Sequence, residues 1–183
     1  MTDILDVITA NGGEIGMGYD LYIIVWPKEE KNTNLEEGYF RLAVWGMREC
    51  RDAMTRLGMV DWKWSPGPWP KLEDFVLRDY PDEDAEHAPD SPSGQYLNAV
   101  VMMRNCVPES GLIAGYKLCT NDGWIVTPLE IKGALAVLDV YRLERADSEG
   151  LLYKFVDAEL PDFFDAWLAF LVRAGEVGGF SVH

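Results

Sequence analysis

The sequence predicts a single α+β domain: a mostly antiparallel or mixed sheet, amphipathic helices packed against it, and one excursion rich in proline, tryptophan and acid. Three observations lead there. Short runs of aromatic and β-branched residues alternate along the chain with segments whose apolar residues recur every three or four positions, and no internal repeat emerges. The stretch Gly115–Leu138 reads as strand, tight turn, strand and capped helix. Residues 61–92 fit neither pattern, since they hold six of the ten prolines and three tryptophans, and each proline removes a backbone donor and constrains its predecessor.

Taken in order, Met1–Ala10 allows a short helix, and the glycines of 11–18 make residues 1–18 a flexible N-terminal segment ahead of one domain spanning 19–183. The glycine-rich run precedes a strand and lacks a Gly-Lys-Ser/Thr ending, so it is a linker and not a phosphate loop. Tyr19–Trp26 is a strand apolar on both faces, as a central strand is, and Pro27 stops it. A polar connection, 28–37, leads to a second strand, Tyr39–Trp45, in which Arg41 shares a face with Tyr39 and Trp45. Gly46 ends it. Met47, Cys50, Met54 and Leu57 then stripe a helix that stops at Gly58.

Within the excursion 61–92, one helical turn is expected at 72–77, the tryptophans argue for packing of the first half, and the acidic 79–90 half reads as mobile. Ser91-Pro92 opens a helix running to about Asn105. Tyr116–Cys119 and Trp124–Thr127 suit strands, and Thr120-Asn121-Asp122-Gly123 between them suits a tight turn, which together make a hairpin. Thr127-Pro128-Leu129-Glu130 is a capping box with proline at the first helical position, and Ile131, Ala134, Leu135 and Leu138 form the apolar face behind it. That helix is expected to reach Leu143 before a charged break over 142–150, and Leu151–Val156 allows a strand. Pro161 starts a last helix striped by Phe163, Phe164, Trp167, Phe170, Leu171 and Ala174, and Phe180–His183 adds an edge strand.

Four of these segments carry a resemblance. GYDLY (Gly18–Tyr22), GYFR (Gly38–Arg41), NDGW followed by VTP (Asn121–Pro128) and GGF (Gly178–Phe180) resemble a group of small uncharacterised bacterial proteins. The resemblance spans most of the chain and implies a shared fold with no nameable activity.

Charge narrows the partners. Sixteen basic against 31 acidic residues give a net charge of −15, which repels nucleic acid and anionic lipid and speeds association with a basic partner. No apolar run approaches the roughly 18–20 residues that span a bilayer. The N-terminal MTDILDVITANGG lacks the basic and long apolar regions of a secretory signal. Cys50, Cys106 and Cys119 form an odd, widely spaced set that fits a reducing cytoplasm and provides no CxxC metal pair.

Candidate chemistry is sparse. His87 and His183 lie in no nucleophile pattern, which argues against Ser or Cys hydrolysis with a histidine base. The acidic run Asp79, Asp82, Glu83, Asp84 and Glu86 does not match calcium-loop spacing, so no metal and no cofactor is expected. The reading that follows is a non-catalytic module whose Trp62, Trp64 and Trp69, together with that acidic run, engage a basic protein, as an immunity or antitoxin protein engages a toxin. The alternative is a small-molecule-binding protein or enzyme with a cleft at the NDGW turn. There Asp122 would accept a proton, Lys117 would hold an anion, and Arg41, Trp45 and Trp124 would line a ligand pocket.

Overall fold

The computed structural model describes residues 18–24, 38–83, 85–147 and 160–183, with side chains described in the 128–147 helix only as far as 140. The N-terminal segment, the 28–37 connection, the strand expected at Leu151–Val156 and Asp84 lie outside the described residues.

Four strands, β1 (Gly18–Ile23), β2 (Tyr39–Ala43), β5 (Trp124–Val126) and β6 (Phe180–Val182), form an antiparallel sheet in the order β2-β1-β6-β5. The four motif segments singled out in the sequence therefore lie in or against these four strands. Cross-strand register puts Leu21 opposite both Phe40 and Val182, and Phe180 opposite both Ile23 and Val126. Directly opposed residues share a face, so these side chains make one apolar surface. The other face carries Asp20, Tyr22, Tyr39 and Arg41, with Tyr39 donating to Asp20 and Arg41 Nε 3.8 Å from it. That face is partly open to solvent, so β1 is central by its pairing and one-sided in its burial.

Helices α1 (Val44–Arg56) and α4 (Phe164–Glu176) cover the apolar face. Met47, Cys50 and Met54 from α1 join Phe164, Trp167, Phe170, Leu171 and Ala174 from α4 in the core, as the helical spacing predicts. Trp167 donates its indole N–H to Met54 Sδ (3.2 Å) and stacks on Phe170. Helix α3 (Pro128–Asp147) closes the layer by burying Ile131, Ala134 and Leu138 against α4. On the far side of α1, the short parallel pair β3 (Val60–Asp61) and β4 (Ile113–Ala114) ties the start of the excursion to the segment before β5. Helix α2 (Pro92–Arg104) is capped by Ser91, whose Oγ accepts from Gly94 N.

Several expectations are corrected. The 115–126 hairpin does not form. Gly115–Leu118 is a 3₁₀ turn, and β5 pairs with β6. Adjacent Lys117 and Leu118 are both buried in that turn, which packs against β5. Strand β6, expected at an edge, lies between β1 and β5. Strand β2 ends at Ala43 and α1 begins at Val44, so Gly46 sits in a first helical turn, where backbone N–H groups need no intrahelical partner. Helix α3 continues through the charged 142–147, because Arg, Leu, Glu and Ala are strong helix formers.

Candidate functional site

The excursion is strapped down residue by residue. Asp61 turns the chain back: its carboxylate accepts from the backbone N–H groups of Lys63 (2.8 Å) and Trp64 (3.1 Å) and from Ser110 Oγ (2.7 Å). The Ser110 bond, chiefly, holds the Asp61 carboxyl below the usual aspartate range. Trp62 then donates to Thr55 Oγ1 (2.7 Å) and lies flat enough on Gly115 that a Cβ there would sit 2.4 Å from the indole. Trp64 covers the Lys117 ammonium, 5.9 Å from the ring centre. Trp69 makes a T-shaped contact with Trp124, ring centres 5.6 Å apart.

The acidic half is tethered as well. A 3₁₀ turn at Leu72–Phe75 is followed by Val76 in the left-handed region. Phe75 and Tyr80 pack edge-on against Tyr96 of α2, and Glu83 takes both terminal guanidinium nitrogens of Arg104 at 2.9 and 3.3 Å. His87 bonds Asp82 O at 2.9 Å. The half expected to be mobile is therefore anchored to α2.

Where Trp69 meets β5, a cleft of about 440 Å³ opens. Trp124, though 1% exposed, stands outside the main core cluster and is covered instead by Trp69 and Tyr116, each edge-to-face with it. Its indole N–H is buried without an acceptor among the described residues. Arg104 borders the cleft with its guanidinium 6.0 Å over Trp69, bonded to Glu83 and donating Nε to Asp122 O (3.1 Å). The Asn121 side chain ties the NDGW turn to Gly18 O (3.2 Å), while Gly123 (φ +72°) turns the backbone against Arg104. No described side chain pairs with the Asp122 carboxylate, which with His183 completes the lining. Trp69 also borders a second groove, of about 670 Å³, with Pro68, Leu72, Leu77 and Tyr80.

The predicted site residues thus separate. Trp69, Glu83, Asp122 and Trp124 converge on the cleft. Lys117 does not: its ammonium is bonded to Glu130 Oε2 (2.8 Å) and Ile125 O (2.7 Å), both side chains of the ion pair are 0% exposed, and burial pulls the lysine pKa down against the pull of Glu130. It holds no anion for Asp122 to act upon, which corrects that pairing. Nor is the expected ligand pocket of Arg41, Trp45 and Trp124 assembled, since only Trp124 lines the cleft. Arg41 lies on the outer sheet face beside Asp20, Trp45 stands 71% exposed in the first turn of α1, and Trp62 is held at Thr55, at the opposite end of that helix. Asp79, Asp82 and Glu86 are exposed on the tethered strap.

Sequence reasoning missed Arg104, Tyr116 and His183, which come from three segments with no shared pattern. The sequence marks Glu130 as a helix cap, and its pairing with Lys117, thirteen positions earlier, comes only with the fold. Among the described residues, no group of three or more His, Cys, Asp or Glu is placed to hold a metal ion, and no helix is long and apolar enough to cross a membrane. Comparison with protein-family models, with curated proteins and with solved structures gives no match.

Proposed function

We propose that the chain is a non-catalytic interaction module that binds a basic protein partner, in the way an immunity or antitoxin protein occupies its toxin, and that the strap 61–92 is its contact face. One observation carries the reading. The strap presents large apolar side chains and carboxylates together on a tethered backbone: Val76 is 90% exposed, Tyr80 76% and Trp69 38%, interleaved with exposed Glu73, Asp74, Asp79, Asp82, Glu83 and Glu86. Aromatic anchors within a charged surround suit a partner steered by opposite charge and then held by apolar burial. Tethering to α2 lowers the ordering cost of binding. The net charge of −15 extends the attraction beyond the strap.

The test is affinity capture from the native host at moderate salt, followed by titration with the purified partner. The expected result is a basic protein whose association slows steeply with added salt and slows again in an Asp79→Asn/Asp82→Asn/Glu86→Gln variant. Recovery of no partner, or of one insensitive both to salt and to that variant, overturns the reading. A second reading, a small-molecule site at the NDGW turn, draws support from the volume of the cleft, about 440 Å³, which falls in the range of ligand pockets.

A further inference from the structure

We infer that the cleft beside Trp124 is a receptor for one arginine side chain of the partner, with Trp69 and Tyr116 as its walls and the Asp122 carboxylate as its counter-charge. The inference rests on the reading above that the partner is basic, and it adds which residue type is recognised and where.

The argument begins with charge. Among the acidic and basic side chains Asp, Glu, Lys and Arg, the cleft holds Glu83 and Asp122, two negative charges, and Arg104, one positive, a formal net −1. Arg104 is committed to Glu83 through both terminal nitrogens. That leaves the Asp122 carboxylate exposed and without a described partner, room for one further cation.

The walls select the kind of cation. Trp69 and Tyr116 each make a T-shaped contact with Trp124, and each keeps more than a third of its surface open, at 38% and 39%. Open aromatic surface beside an uncommitted carboxylate attracts a flat, weakly hydrated cation more than a compact ammonium. The chain itself displays this geometry, because the Arg104 guanidinium lies over Trp69 while a carboxylate grips it from the edge. A partner's arginine would repeat the arrangement with Asp122 in place of Glu83. Trp124 lines the cleft beside these walls, which makes its indole signal a reporter of occupancy.

The experiment uses the full chain and small probes: N-acetyl-arginine amide, with the lysine and norleucine amides as comparators, followed through tryptophan indole N–H resonances. The arginine probe is expected to shift the Trp69 and Trp124 signals saturably, the lysine probe to bind more weakly, and the norleucine probe to leave them in place. Asp122→Asn and Trp69→Phe should each weaken the arginine probe, the former by about tenfold for loss of a charge-assisted bond, and Glu49→Gln, on an exposed face of α1, should leave it unchanged. Equal shifts with norleucine amide, no shift with arginine amide, or undiminished affinity in a folded Asp122→Asn variant would each overturn the inference. A wild-type chain that binds its basic partner yet ignores the arginine probe sinks this inference and leaves the interaction reading standing. A chain that takes the probe in its cleft but has no basic partner sinks the interaction reading and, with it, the assignment of the cleft to a partner's arginine.

Discussion

Two ion pairs flank β5, and they are built from nearly the same parts. On one side Lys117 bonds Glu130 and a backbone carbonyl, Ile125 O, with a tryptophan face 5.9 Å away. On the other, Arg104 bonds Glu83 and a backbone carbonyl, Asp122 O, with a tryptophan face 6.0 Å away. The first pair is wholly sealed. In the second, the Glu83 side chain keeps 59% of its surface in water. Burial assigns the roles. A sealed pair costs desolvation and holds only while every lone pair and proton is satisfied, which makes it a fixed strut. An open pair contributes little to stability and keeps its charge available to a partner.

The largest expected effect breaks the sealed side. Glu130 also accepts from Thr127 N (2.9 Å) and Thr127 Oγ1 (2.9 Å), so it is both the cap of α3 and the counter-ion of Lys117. Glu130→Ala strands a buried ammonium, and chemical denaturation should register a loss of about 3–5 kcal/mol. Lys117→Met/Glu130→Gln removes both charges while keeping an acceptor for the cap, and should recover most of that loss. Recovery would establish that the strut's cost lies in its charges and not in its packing.

The same sealed pair predicts a pH response. Burial lowers the folded pKa of Lys117 below the ordinary lysine value of 10.5. Between the lowered value and 10.5 the unfolded chain holds a proton that the native lysine has released, so this group makes stability rise with pH across that window. Denaturation midpoints of the wild type and of the doubly neutral variant, compared from pH 8 to 10.5, should diverge in that sense, with the rise confined to the wild type. An intermediate effect is expected at the hinge between the two pairs. Gly123 adopts φ +72°, and a Cβ there would meet the Arg104 guanidinium at 3.3 Å. Gly123→Ala should cost about 1–2 kcal/mol through left-handed strain and, by displacing Arg104, loosen the open pair without touching the sealed one.

How far the sequence foretells this contrast depends on range. Periodicity places α1 and α4, with Met47, Cys50, Met54, Trp167 and Phe170 all buried, and local capping chemistry places the starts of α2 and α3. Each of those signals lies within a few residues. The sheet order is another matter: β5 pairs with β6, more than fifty residues on, and the adjacent Tyr116–Cys119 run is drawn into a 3₁₀ turn by the need to bury Lys117 against Glu130. The cleft is harder still, because Trp69, Glu83, Arg104, Asp122 and Trp124 come from three separate segments. Residue types chosen for the strap and the NDGW turn named part of its lining, and only the folded chain brings in Arg104.

The smallest effect belongs to the open pair and is the one that separates stability from recognition. Glu83→Gln removes a charge whose side chain is mostly solvated, so its stability cost should stay below about 1 kcal/mol and shrink further in salt. Its effect on the cleft runs the other way. Arg104, released from Glu83, becomes free to turn to Asp122, whose backbone oxygen already accepts from its Nε. A guanidinium settling on that carboxylate would fill the cleft from within. Glu83→Gln should therefore fold nearly as well as the wild type, while its association with a basic partner slows by more than the loss of one surface charge accounts for. Glu49→Gln, a like neutralisation on an exposed face of α1, supplies that baseline. Equal slowing in the two variants would mean that Arg104 does not compete for Asp122, and that the two ion pairs differ in burial alone.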